Sequence, residues 1–278
     1  MHRTGRVSPS ADCVHETTCG HNVPVSWLHA VMLFAAGILG GLTGSIAGLA
    51  SVATYPALLV AGLPPVTANV TNTVALVFNG VGSVLGSRPE LRGQRTLLTR
   101  AIPFAVLGGV TGAVLLLSTP AEGFEKIVPA LLGFASLAIL LPVRPAGDPS
   151  TASRRRRTLS LAVQGLAVFA ICIYGGYFGA AAGVLLLAMF LRLGGETLAH
   201  ANAAKNVVLG VANGVAAVIF AVVAPVQWVA VLALGAGCLV GSRIGPVVVR
   251  RTPDRPMRLA IGLAGVALAV KLGIDAYR

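Results

Sequence analysis

The sequence predicts an all-α membrane protein made of two inverted repeats with about eight hydrophobic segments. Three observations carry this. Only 11% of the residues are charged, against about 25% in soluble domains, so the chain lacks the charged skin a soluble fold of this length requires. Its apolar runs reach or exceed the ~20 residues that cross a bilayer as a helix. Several motifs recur in order at one offset, as a duplicated half-molecule requires. The 34 glycines fit the same reading, because small residues let membrane helices approach closely.

Residues 1–26 form a polar tail. Cys13, His15, Cys19 and His21 lie within it. These residue types bind Zn²⁺, but at tighter spacing than usual structural sites, so a metal site and an unstructured tail both stay open. The apolar sequence starts near Trp27, after Asp12 and Glu16. That is too late and too polar for a cleaved signal, so the first apolar segment is expected to remain as an anchor. Cys172 and Cys238 sit in apolar runs and read as small packing residues.

The hydrophobic segments run Trp27–Gly62, Thr67–Ser87, Leu97–Ser118, Phe124–Leu141, Leu159–Leu193, Ala201–Ala224, Val226–Val249 and Met257–Ile274. The first and fifth are too long for one span, and each is broken by glycines. Two short helices joined by a glycine-rich turn, or a re-entrant hairpin, would account for either. The first repeat is therefore 27–141, a basic linker is 142–158, and the second repeat is 159–278.

The matches between halves are specific. Gly40-Gly41-x-x-Gly44-x-x-x-Gly48 aligns with Gly175-Gly176-x-x-Gly179-x-x-x-Gly183. Ala68-Asn69-Val70-Thr71-Asn72-Thr73 aligns with Ala201-Asn202-Ala203-Ala204-Lys205-Asn206. Asn79-Gly80 aligns with Asn213-Gly214, and Gly108-x-x-x-Gly112 with Gly241-x-x-x-Gly245, all at an offset near 134.

Charge sets the orientation. The connections Arg88–Arg100 and Arg250–Arg258 are basic, as is the linker with Arg144 and Arg154 to Arg157. The turns at Gly62–Thr67, Ser118–Pro120 and Ala224–Pro225 carry no basic residue. By the positive-inside rule the first group is cytoplasmic. The loop after the second segment is then basic and its counterpart after the sixth neutral, so the halves point in opposite directions. Both termini fall outside if each long segment crosses an even number of times. The net charge of +12 belongs to these loops. No aromatic residues interleave with the arginines as a nucleic-acid surface would need.

The chemistry follows from where charge is placed. None of the nine acidic residues falls deep in a span, whereas cation carriers and proton relays usually need one there. Lys205 and Arg243 lie within apolar segments, so a membrane cavity here would favour an anion. Lys205, Asn202 and Asn206 sit near the expected start of a helix, where free N–H groups also suit anions. The bland alternatives are that Lys205 snorkels to the surface with Asn202 as a cap, and that Arg243 snorkels. Asn69, Thr71 and Asn72, with Thr73, are the matching polar residues of the first half. They either complete a pocket or make interhelical hydrogen bonds. Gly44, Gly48, Gly179 and Gly183 either turn backbone N–H groups toward a cavity or allow close packing. Ser45 lies between glycines, but no histidine is deep enough to serve as its base, so an enzyme is not expected. No phosphate-binding Gly-x-x-x-x-Gly-Lys-Ser/Thr motif is present, so ATP hydrolysis is not expected. No cofactor is called for.

The two glycine-rich segments, the Ala201–Asn206 stretch, Phe220, Gln227-Trp228 and Gly237, Gly241 and Gly245 together resemble the TauE/SafE family of sulfite exporters. The likeness spans about residues 30–274. It implies a permease for sulfur oxyanions such as sulfite or organosulfonates, in a bacterial inner membrane. A secondary anion transporter, uniport or proton-linked, is the function expected, with a passive anion or small-solute channel as the alternative.

Overall fold

The computed structural model describes residues 27–120, 154–180, 182–193 and 197–249, with single positions between 122 and 133 and between 259 and 274. Among these residues the fold is all-helical. The helices are α1 (Trp27–Ala47), α2 (Ala50–Val60), α3 (Pro65–Gly86), α4 (Arg95–Ser118), α5 (Arg154–Tyr177), α6 (Ala182–Leu193), α7 (Leu198–Val223) and α8 (Trp228–Val249). The segments Phe124–Leu141 and Met257–Ile274, and the tail with Cys13, His15, Cys19 and His21, lie wholly or largely outside the described residues. Arg154 to Arg157, expected in the linker, form the first turn of α5.

Each over-long segment becomes one long helix followed by one short one. Gly48 (φ 78°) follows α1 and Gly179 (φ 75°) follows α5. Both take the left-handed conformation that ends helices and that glycine adopts without strain. The Gly48 N–H returns to the Gly44 carbonyl at 2.8 Å. Of the two expected forms, two short helices or a re-entrant hairpin, the first half has two helices joined at glycine, of 21 and 11 residues. The helix stops fall at Gly48 and Gly179, whereas the glycine motifs align Gly48 with Gly183. The structural offset at the break is therefore a few residues shorter than the motif offset.

Helix directions follow from close approaches. Gly37, Gly41 and Gly245 put α1 against α8 in parallel register, with Gly37 near Leu234 and Gly41 near Cys238. Gly108 and Gly112 put α4 beside α5, also parallel, near Phe169 and Ile173 respectively. Between α3 and α7, Gly80 meets Gly210 and Asn206 meets Ser87, so these two run antiparallel. Among the described helices, α4 of the first half thus packs on α5 of the second and α8 of the second on α1 of the first, and α3 and α7 cross between them.

The exposure pattern is inverted relative to a soluble protein. Leu107, Val114, Val218, Val222, Leu232 and Val240 face outward. Asn69, Thr71, Asn72, Asn202, Asn206 and Lys205 are buried. An apolar exterior costs nothing in lipid, while water would penalise one this extensive. Trp27 and Trp228, 85% and 54% exposed, begin the parallel helices α1 and α8 and so lie at one membrane face, where tryptophan is favoured. Helices α1, α4, α7 and α8 are long and apolar enough to cross a bilayer. The polar residues of α3 lower its hydropathy, and the same residues place it in the middle of the bundle: residues 68–76 are buried on every face.

Candidate functional site

Residues 201–206 of α7 are likewise buried all round. The helix begins at Leu198 with Thr197 as N-cap, its side chain accepting from the His200 N–H. Lys205 therefore lies about two turns inside the helix rather than at its start. The free amides of the helix end are not beside it, and Asn202 is not the cap.

The Lys205 ammonium is fully buried, which rules out snorkelling in this conformation. It donates to the carbonyls of Gly44 (3.1 Å) and Ser45 (3.3 Å) at the end of α1. Asn202 Nδ2 donates to the same Ser45 carbonyl at 2.9 Å, and Asn206 Nδ2 at 3.5 Å. Asn206 Nδ2 also reaches Ser87 Oγ at 3.3 Å. Three donors from one face of α7 converge on one oxygen. Burying an ammonium costs several kcal/mol unless it is compensated. Here the compensation is the negative end of the α1 dipole, with no carboxylate among its partners in the described residues.

The first half repeats the arrangement without charge. Asn69 Nδ2 donates to the Tyr177 carbonyl at the end of α5, at 2.8 Å. Each half's leading asparagine thus holds the broken helix of the other half. Asn72, aligned with Lys205, is held by side chains: Thr54 Oγ1 donates to Asn72 Oδ1 (2.6 Å), and Asn72 Nδ2 donates to Ser51 Oγ (3.2 Å). Thr71 Oγ1 accepts from the Gln227 N–H at 3.1 Å, and Thr73 Oγ1 returns to the Asn69 carbonyl.

Gly48 and Gly183 touch, so a Cβ on either would strike the other's backbone. Through this contact the N-termini of α2 and α6 face each other near the middle of the bundle, and both present positive dipole ends. Gly44 approaches Ala50 and Asn79. Gly179 is the stop of α5. Arg243 is exposed, and the structure does not bring it to this cluster.

Ser51, Thr54 and Ser87 were not singled out from the sequence. Ser51 and Thr54 lie inside α2, where such residues usually bond their own backbone, and Ser87 caps the end of α3, so their reach to Asn72 and Asn206 leaves no sequence signal. The Gly44 and Ser45 carbonyls have none either.

An all-helical bundle with an apolar exterior and a buried polar and cationic centre, built around two broken helices, defines a polytopic membrane transporter. The chain belongs to the TauE/SafE sulfite exporter family, whose model matches residues 33–272. It is 27% identical over 255 residues to the probable membrane transporter protein YfcA of Escherichia coli K12, covering 91% of this chain and 93% of that one. It is 28% identical to the probable membrane transporter protein ORF9 of a Sinorhizobium species (87% and 92% covered). It is also 28% identical to a probable membrane transporter protein of Haemophilus influenzae (81% and 88%). No solved structure matches significantly.

Proposed function

We propose that this integral membrane transporter is a secondary carrier of small anions, with sulfite or an organosulfonate as substrate, in a bacterial inner membrane. The observation that carries the proposal is the convergence of Lys205, Asn202 and Asn206 on the Ser45 carbonyl. An ammonium and two amides arranged around one oxygen are also the donors an oxyanion needs in place of its hydration shell. In this conformation the α1 carbonyls occupy them. When substrate enters, an anionic oxygen takes the place of the Ser45 carbonyl, and charge-assisted bonds replace charge–dipole ones. Releasing the end of α1 frees the broken helix to move, so occupancy and conformational change are coupled.

The two-fold character of the contacts supports inverted repeats. The Asn69–Tyr177 and Asn202–Ser45 bonds are reciprocal, and Gly48 meets Gly183. Inverted repeats with broken helices suit alternating access around a midplane site, with half-helix N-termini facing an anionic group. The sulfur specificity rests on the family's description.

Purified protein in proteoliposomes should take up labelled sulfite saturably. Unlabelled sulfite or sulfoacetate should compete and chloride should not, and internal sulfite should accelerate uptake by exchange. Flux that neither saturates nor exchanges would make the protein a channel. No flux of any sulfur oxyanion by folded protein would remove the substrate assignment.

A further inference from the structure

The matched pair Asn79 and Asn213 has no part in the cluster described above, yet both side chains face one cavity. It lies between α3 and α7 and is also lined by Ser83, Asn206 and Gly44. All four polar side chains are more than nine-tenths buried: Asn79 is 8% exposed, Ser83 1%, Asn206 5% and Asn213 5%. Among the described residues, Asn79 Oδ1 and Ser83 Oγ find no hydrogen-bond partner. A buried polar atom left in that state costs about 1–3 kcal/mol, so the site calls for a polar occupant such as water or a ligand. Neither group is explained by helix packing, since leucine or alanine would fill the same positions without that cost.

We infer that Asn79, Ser83 and Asn213 form a second station for the substrate oxyanion, between the two repeats and next to the Lys205 cluster. This rests on the anion-carrier reading above. Three features assign an anion rather than a cation. The lining supplies the Ser83 hydroxyl and the amide N–H groups of Asn79, Asn206 and Asn213 as donors, Asn79 by turning its Nδ2 in place of the orphaned Oδ1 toward the ligand. It includes no carboxylate among the described residues. The Lys205 ammonium donates to the carbonyl of Gly44, which lines the cavity wall. A metal cation there would sit close to an ammonium with no acid to offset it. Asparagine and serine also hold an anion less tightly than lysine does, as a site that must release its ligand requires.

The geometry further gives the station a way to open. Its volume here is about 10 Å³, room for about one water, so the helices are closed upon it. Gly80 and Gly210 line it, and a Cβ on Gly80 would lie 3.2 Å from Gly210 Cα. With no side chains at that crossing, α3 and α7 can slide past one another. An apolar groove of about 300 Å³ lies on the other side of the same glycine pair. Asn202, Asn206 and Asn213 follow one face of α7, and Asn72, Asn79 and Ser83 one face of α3. Substrate passing between these two stripes exchanges one set of amides for the next.

The test uses full-length protein in proteoliposomes, with sulfite as the probe, and compares Asn79→Ala, Ser83→Ala and Asn213→Ala with wild type. Melting temperature is measured on the same preparations. Because the orphaned groups make no bond the fold depends on, Asn79→Ala and Ser83→Ala should keep or raise the melting temperature while the KM for sulfite rises about tenfold, the equivalent of one lost interaction of ~1.4 kcal/mol. Asn213→Ala should show the same rise in KM. Asn79→Asp adds a negative charge at nearly constant shape and should abolish uptake. Wild-type KM in the alanine variants overturns the station while leaving the carrier intact. So does loss of transport that appears only with a large fall in melting temperature, and so does uptake that survives Asn79→Asp, the outcome a cation site would give. Wild-type protein that moves no sulfur oxyanion would instead defeat the carrier reading itself, and the station with it.

Discussion

The two halves meet the same structural problem, a long helix that stops inside the bundle, and solve it with different chemistry. In each, an asparagine on the third helix donates to a carbonyl at the stopped end in the opposite half: Asn69 to Tyr177, and Asn202 to Ser45. Four residues or fewer further along, they diverge. Asn72 is satisfied by the Ser51 and Thr54 hydroxyls of α2, a closed neutral network. Among the described residues Lys205 donates to the α1 carbonyls of Gly44 and Ser45 and to no hydroxyl. Because a network of neutral groups is complete without a ligand, the Asn72 network is suited to hold shape. A charge held only by dipoles has more to gain from an anion, so the second half is suited to bind.

The difference can be broken at six positions. The largest effect is expected at the glycine stops. Gly48→Ala combines a left-handed φ, costing about 1–2 kcal/mol for other residues, with a collision against the Gly183 backbone. It should yield little folded protein by size-exclusion chromatography. Gly179→Ala carries the same φ penalty, but its Cβ would press closest on the Gly175 carbonyl, at 2.9 Å, so more folded protein should survive.

Lys205→Met should come next. Removing a buried charge is compatible with folding, so the protein should remain monodisperse. Loss of charge-assisted bonds worth about 1.5–3 kcal/mol each should cut sulfite uptake by about 100-fold. Asn202→Ala removes one of the three donors on the Ser45 carbonyl, worth about 0.5–1.5 kcal/mol, and should lower uptake by roughly three- to tenfold. Asn69→Ala, its counterpart, should lower the melting temperature but leave KM unchanged. The smallest effect on transport is expected from Thr54→Val. It takes a donor from Asn72 and should cost about 1 kcal/mol in denaturant unfolding with transport retained. A large rise in KM for Asn69→Ala or Thr54→Val would show that the Asn69 and Asn72 contacts also bind substrate.

Much of this contrast was legible in the residues. The glycine clusters marked where the long segments break, because few other residues adopt a left-handed φ. The aligned stretches 68–73 and 201–206 marked the two buried centres, because polar residues in an apolar run need partners there. What stayed hidden depends on partners distant in sequence. Lys205 is 161 residues from Gly44, and a carbonyl acceptor has no residue type to betray it. The register at the break was also obscured: the glycines repeat within each cluster, so motif matching paired Gly48 with Gly183, which are neighbours in space, while the helix stops are Gly48 and Gly179. The snorkelling alternative for Lys205 fails because the bundle closes over position 205. For Arg243 the same alternative fits its exposed place on α8.

The most direct measurement is calorimetric titration of sulfite into detergent-purified wild-type protein and Lys205→Met, both shown to be folded. Saturable binding to wild type that disappears in Lys205→Met is the predicted result. Sulfite binding by Lys205→Met with wild-type affinity would contradict the assignment of the buried lysine as the anion's partner.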